Sequence, residues 1–533
     1  MNLGSEKAVC LAEKLRPAAC GNRGRRRLSH PSSAQLPLGA HAPFFLPVAL
    51  TVLLAAASQA FAEPKFRASK VEARGSGVFF CDLDGDRLKD MVLIDRTNLA
   101  VIYQDANRGF GKPAEQRYDL GRKPALVWAA RVGPGADRLL LMTGEGVDTL
   151  AFSNRTSPPE LQSIIRQRTV IPPMLDGPAV PTMHFPLSAD TGTGWPLALV
   201  PVEAGLQVWR HSEGQEWRLT QTLEPALDLR VGPSIGNNPG YMSWLGLCLG
   251  VGDLNGDGRE DLILRRHNTA GMAAFAVYLQ GADFAFSSRP TLTYDIKPDW
   301  RSWLGWVDLN CDGNVDLIKT AWLNEPWFVP GVRSGKVVAS IFLADEHGRL
   351  PPEPQQVFRK NDWTPAVPVL DIDGDGFPDL VLGYSLFDSR EGARKMMTAR
   401  QLDFSLKFHF FRRGIGFPKE PDCQRDVLIH LDRHALFLSS DRRESFGRFV
   451  SFNGDFNGDG KRDLLVRDHS DAVSVYFFIS RERGVDREAA LRLSCPEPIE
   501  WLDTQDLNND GATDLIIQLQ KRNTFRVFLS EGG

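Results

Sequence analysis

Residues Asp253–Leu262 read DLNGDGREDL, and Asp308–Leu317 read DLNCDGNVDL. The phrase returns as DIDGDGFPDL at Asp371–Leu380, DFNGDGKRDL at Asp455–Leu464 and DLNNDGATDL at Asp506–Leu515. A sixth copy, DLDGDRLKDM at Asp82–Met91, keeps every acid but has Arg87 where the others have glycine. The shared pattern is D-x-[DN]-x-D-G-x-x-D-L. A phrase that recurs through a chain of 533 residues marks a repeat architecture.

The text around each copy repeats as well. An apolar run precedes it, as in Leu245-GLCLGV, and a β-type run follows it, as in Asp261-LIL and Asp514-LII. A third run ends on an aromatic or bulky residue: Leu99-AVIY, Leu206-QVW, Phe275-AVYL, Val338-ASIFL, Val473-SVYFF and Phe525-RVFL. A fourth, weaker run precedes the next copy, as in Leu292-TYDI. Short β-branched and aromatic runs parted by Gly, Asp, Asn and Pro predict strands, and almost nothing carries a long helical period. Four short strands per unit predict an all-β propeller. Two degenerate copies fill the gap before Asp253. Asp137-RLLLM keeps only the end of the pattern, and Thr193-GWPLALV has Leu197 in place of the last Asp. With both counted there are eight blades, and seven if one is misread. The last unit has room for only two strands after its loop, so Phe66-RASKVEA is expected to complete that blade and hide the open edges. The unit from Asp371 to Asp455 is long, and Ser389–Arg400 reads as a charged surface insertion.

The pattern places oxygen donors at positions one, three, five and nine and a backbone carbonyl at seven, with glycine at six for the sharp turn. So many flexible oxygen ligands suit calcium better than magnesium. Without a cation each pair of carboxylates about 4 Å apart repels by roughly 4 kcal/mol at an effective dielectric near 20, so ion binding and loop folding should be coupled. An EF-hand begins in the same way, but it needs a Glu at position twelve and flanking helices. Position twelve here holds Leu93, Leu264, Lys319, Leu382, Val466 and Ile517, each inside a strand-like run.

These loops resemble the FG-GAP/VCBS repeats of integrin α-subunit propellers and their bacterial relatives, and the likeness runs over essentially all of residues 63–533. It implies one structural calcium per intact loop, about five to six in all, held between the first two strands of a blade. The implied ligands are Asp82, Asp84, Asp86 and Asp90; Asp253, Asn255, Asp257 and Asp261; and Asp308, Asn310, Asp312 and Asp316. They continue with Asp371, Asp373, Asp375 and Asp379; Asp455, Asn457, Asp459 and Asp463; and Asp506, Asn508, Asp510 and Asp514. Two features depart from the family: the FG and GAP segments are poorly kept, and Arg87 replaces glycine in the first loop.

The net charge of −4 gives no basic face for nucleic acid. Residues 1–62 read as a leader: Arg23, Arg25, Arg26 and Arg27, then an apolar run from Phe44 to Ala57, then Ala60-Phe61-Ala62 as a small-x-small cleavage signal. That predicts an exported protein, periplasmic or extracellular, with no membrane span once the leader is removed. Five cysteines follow the leader, namely Cys81, Cys248, Cys311, Cys423 and Cys495. They form no CxxC or Cys/His cluster, and their pairing is left open. No catalytic constellation is legible. Gly232-Pro-Ser234-Ile-Gly236 matches a nucleophile elbow as text, but Asn237-Asn-Pro-Gly240 follows where the elbow needs a helix. Trp244, Trp300 and Trp363 stand eight or nine residues before a loop, with Trp303 nearby, on the face expected to lie opposite the loops. Such rings serve either inter-blade packing or a sugar or peptide ligand. The expectation is a binding module for a glycan or protein ligand. The alternative is a polysaccharide lyase or hydrolase on a calcium propeller.

Overall fold

The computed structural model describes residues 66–531 apart from 73–76, 111–115, 133–134, 171–182, 185–186, 213–215, 225–248, 268–272, 297–301, 323–326, 330–331, 335–336, 361–368, 386–393, 395–397, 399–400, 431–449 and 521–523. The leader and the Gly232–Gly236 motif lie outside the described residues. So does the Ser389–Arg400 insertion, except for Arg394 and Thr398.

Eight antiparallel four-stranded sheets follow one another along the chain. Blade 1 is Gly77–Cys81, Asp90–Asp95, Asn98–Ile102 and Gln116–Asp119. Blade 2 is Leu126–Ala130, Arg138–Thr143, Gly146–Ala151 and Glu160–Arg166, and blade 3 is Ser188–Ala189, Leu197–Val202, Gly205–Arg210 and Arg218–Leu223. Blade 4 is Leu249–Gly252, Asp261–His267, Ala273–Tyr278 and Leu292–Ile296. Blade 5 is Ser302–Val307, Asp316–Trp322, Val337–Phe342 and Gln356–Lys360. Blade 6 is Val369–Leu370, Asp379–Ser385, Gln401–His409 and Cys423–His430. Blade 7 is Val450–Gly454, Asp463–His469, Ala472–Tyr476 and Leu491–Ser494, and blade 8 begins with Ile499–Gln505, Asp514–Leu519 and Thr524–Ser530.

The two degenerate copies are therefore true blades, and the count is eight. Blade 8 is completed by Phe66–Glu72, antiparallel to Thr524–Ser530 in the register Phe66↔Ser530 through Glu72↔Thr524. This closure covers the edge that a linear array would leave open. Blade 2 gains one unexpected element: Met183–His184 runs parallel to Leu126–Val127 and makes that sheet five-stranded.

Each interior strand alternates two buried faces, and the core lies between blades rather than within them. Phe80, Met91 and Leu93 of blade 1 pack with Phe525 and Val527 of blade 8. Leu99 and Val101 of blade 1 pack with Leu139 and Leu141 of blade 2. Similar clusters join blades 2 to 4, 4 to 5, 5 to 6, 6 to 7 and 7 to 8, so apolar burial runs around the whole ring. Among the described residues no helix is long and apolar enough to cross a membrane. Cys81 and Cys495 are buried, Cys311 and Cys423 half-buried, and none of these four forms a disulfide.

Candidate metal centres

Every intact loop joins the first strand of a blade to the second, as the strand-flanked pattern predicts. Position one is the hub. Asp253 accepts the Gly256 N–H at 2.7 Å on one oxygen and the Gly258 N–H at 2.9 Å on the other. Asp82, Asp371 and Asp455 repeat both bonds, and Asp308 and Asp506 keep the one from position six. These bonds require left-handed backbone at positions four and six, which glycine adopts without strain. Three other residues are forced into it: Arg87 at φ 74°, Cys311 at 54° and Asn509 at 59°. Position five then accepts the N–H of position seven, from Leu88, Arg259, Asn314, Phe377, Lys461 and Ala512 in turn.

Position nine behaves differently from the rest. Asp90, Asp261, Asp316, Asp379, Asp463 and Asp514 are all buried, at 0–1% exposure. Each accepts the N–H of position two on one oxygen: Leu83, Leu254, Leu309, Ile372, Phe456 and Leu507. The other oxygen accepts an N–H at the end of the third strand: Gln104, Gln280, Ala344, Phe411, Phe478 and Ser530. This acid staples its loop to the blade. Burial raises its pKa, to about 7 for Asp90, Asp261, Asp316 and Asp463, about 8 for Asp379 and about 6 for Asp514.

The loops are also linked to one another through position eight, which the pattern had left blank. Thr513 donates its N–H to the Asp455 carbonyl at 2.6 Å and accepts the Asp455 N–H on Oγ1 at 2.9 Å. Asp137 of degenerate blade 2 makes the same reciprocal pair with Asp82 of blade 1, at 2.6 and 3.0 Å. Lys89 and Arg462 donate their N–H groups to Leu507 and Ile372 of the preceding blades. Blade 3 shows how a loop survives the loss of its last acid. With Leu197 at position nine, the Asp190 N–H is accepted at 2.7 Å by Glu260 of blade 4.

The donor set suits a hard cation. Asp82, Asp84 and Asp86 hold carboxylate oxygens within 4.8 Å of one another, as do Asp371, Asp373 and Asp375. In three of the remaining loops an asparagine stands at position three and donates to the position-five carboxylate: Asn255 to Asp257, Asn310 to Asp312 and Asn508 to Asp510. In the loops of blades 1 and 6 carboxylate oxygens from positions one, three and five converge, a donor type that calcium takes.

A family model described as an FG-GAP-like repeat matches residues 251–318 and 455–517, and one described as an FG-GAP repeat matches 363–394. The chain carries FG-GAP repeats on an eight-bladed propeller. The matched stretches carry the loops of blades 4 to 8. Blade 1 keeps the same loop bonds with Arg87 in the glycine position. No curated protein matches the chain. Among solved structures it is similar to an Agrocybe aegerita lectin described by its specific recognition of non-reducing terminal N-acetylglucosamine. The identity is 15% over 60% of this chain and 77% of that one, with a TM-score of 0.35.

Away from the loops, Trp244, Trp300 and Trp363 lie outside the described residues. Trp303 sits in the first strand of blade 5, opposite Thr320. Its neighbour Trp306 is buried at the blade 4–5 seam against Phe275 and Tyr294, so that ring serves packing. A cleft of about 780 Å³ opens between the outer strand of blade 4 and blade 5, where Lys319, Ser340, Arg349 and Glu353 gather beside Tyr294. Two arginines that the pattern could not flag complete the picture. Arg155 pairs with Asp84 and Asp86, and Arg481 with Asp373 and Asp375. Nothing local marks them, because their partners lie 69–108 residues away in sequence.

Proposed function

We propose that this FG-GAP propeller is an exported binding module for a glycan or protein ligand, with structural calcium in its six acidic loops. The observation that supports the reading is where the loop acids spend their hydrogen-bonding capacity. Positions one, five and nine each hold backbone N–H groups of their own blade, and position nine is sealed from solvent. Acids used in this way build a scaffold and are not poised to move substrate protons. Calcium would be held by positions one, three and five of each loop, beside the stapling acid at nine. Its part is to cancel the mutual repulsion of these carboxylates and lock the rim of the ring. Specificity then resides in the surfaces that the rigid blades present, the cleft between blades 4 and 5 among them.

The test is a glycan array run beside a reducing-end release assay on the same polysaccharides, in calcium. Retention of a defined glycan without new reducing ends supports the reading. Release of reducing ends replaces it with a lyase or hydrolase.

A further inference from the structure

The six loops fall into two kinds, and the difference lies at position three. Blades 4, 5, 7 and 8 carry asparagine there and three acids among positions one, three, five and nine; blades 1 and 6 carry Asp84 and Asp373 and four acids at those positions. The two four-acid loops receive an arginine from the following blade. Arg155, between the third and fourth strands of blade 2, pairs through Nε with Asp84 and through Nη2 with Asp86 at 2.7 Å. Arg481, between the third and fourth strands of blade 7, pairs through the same two nitrogens with Asp373 and Asp375. Each guanidinium also lies over an aromatic ring at the same place in the blade. Arg155 is 5.3 Å from the Tyr103 ring centre and Arg481 is 5.6 Å from that of Phe410. Both rings come immediately before the residue that feeds its N–H to the stapling acid, Gln104 and Phe411 respectively. Thus two blades, 1 and 6, repeat one device: a fourth acid at the ligand positions, an aromatic seat and an arginine from the next blade.

The guanidinium takes over the asparagine's task. In the three-acid loops the Asn255, Asn310 and Asn508 amides bridge position three to position five; in the four-acid loops arginine bridges the same two positions. It also offsets the charge of the extra acid at position three; Arg259 and Lys461, at position seven of blades 4 and 7, pair only with the position-five carboxylate of their own loop, Asp257 and Asp459. Asparagine can bridge and still turn its oxygen to an ion. An arginine fork engages both carboxylates with charge-assisted bonds and must yield before they can close on a cation.

We propose that Arg155 and Arg481 are resident counter-cations that set the metal affinity of blades 1 and 6, giving the ring four tight calcium sites and two weak ones. The inference rests on the loops holding calcium. Blades 1 and 6 would then fill only when calcium is plentiful, and filling would release the connections of blades 2 and 7 that carry the two arginines.

The experiment is calcium titration of the full chain by isothermal calorimetry, with stoichiometry checked by equilibrium dialysis. Wild type should show four equivalents and a further two at least tenfold weaker. Arg155→Gln and Arg481→Gln should each move one equivalent from the weak class to the tight class, and Arg155→Lys should fall between. A second readout needs no metal: in chelator each Gln variant should melt below wild type, and saturating calcium should close that gap. Six equivalent sites in wild type, or a weak class that the Gln variants leave unchanged, overturns the proposal. Absence of any calcium uptake would instead remove the calcium reading on which it stands, while a lowered melting point of the Gln variants in chelator would still register the ion pairs.

Discussion

Consider Asp261→Ala beside Asp257→Ala, two acids of one loop. Asp261 is 0% exposed and accepts two backbone N–H groups, from Leu254 at 3.0 Å and Gln280 at 2.8 Å. Alanine strands both donors, and each buried unpaired donor costs about 1–3 kcal/mol. Removing a carboxyl whose pKa burial raises to about 7 returns part of that, leaving a net loss of about 2–4 kcal/mol. Asp257 is exposed, and its loss should cost under about 1 kcal/mol without metal. An unfolding entropy of about 2.1 cal/mol/K per residue makes a ring of this length lose about 1 °C per kcal/mol when it melts as one unit. In chelator, Asp261→Ala should therefore melt about 2–4 °C below wild type and Asp257→Ala within about 1 °C of it. On the proposed calcium reading both should fall in saturating calcium, because position five would hold the ion as well. Differential scanning fluorimetry reads the comparison directly, with the chelator arm at pH 5, where the buried Asp261 carboxyl keeps most of its stabilising share, and the calcium arm at pH 8. If the two variants shift equally in chelator, position nine is not a staple and the division of labour within the loop is wrong.

Three further outcomes follow from the same geometry. Arg87→Gly should raise stability by about 1 kcal/mol, seen as a higher urea midpoint at unchanged slope, because φ 74° costs arginine but not glycine; an unchanged or lower midpoint counts against strain there. The stapling acids have folded pKa values raised to about 6–8, so their stabilising share is complete below the unfolded value near 4 and is lost as pH rises through 6–8. Metal-free protein should accordingly melt higher at pH 5 than at pH 8, and calcium, which needs ionised carboxylates, should reverse that order; the same order with and without calcium would contradict the assignment. Deleting Phe66–Glu72 uncovers the Thr524–Ser530 edge and should cause concentration-dependent association in sedimentation runs, whereas a truncated chain as monodisperse as the full one would refute closure by that strand.

The loops were legible in the sequence because their bonds are short-range. Asp253 reaches Gly256 and Gly258, three and five residues on, and Asp261 reaches Leu254 seven residues back. Bonds confined to ten residues leave their pattern in the text, whereas the second bond of the stapling acid, from the Gln280 N–H to Asp261 across 19 residues, does not. The strands followed from the runs between the loops, and the closing strand from the length left after Asp506. Blades 2 and 3 could be found only by their framework, since nothing demands loop acids once another group holds the loop.

Everything that joins one blade to the next was decided by the tertiary structure. Arg155 meets Asp84 across 71 residues, Arg481 meets Asp373 across 108, and Glu260 meets Asp190 across 70. The reciprocal pairs made by Asp137 and Thr513 also span blades. No local spacing encodes such contacts, because an arginine between two strands reads as solvated until the fold sets an acidic loop beside it. Sequence alone determined a ring of strand-flanked acidic loops, through bonds made within each nine-residue turn. Which of those loops meets a fixed positive charge was settled by how neighbouring blades pack, since only that packing brings charges so far apart in the chain to within a hydrogen bond of each other.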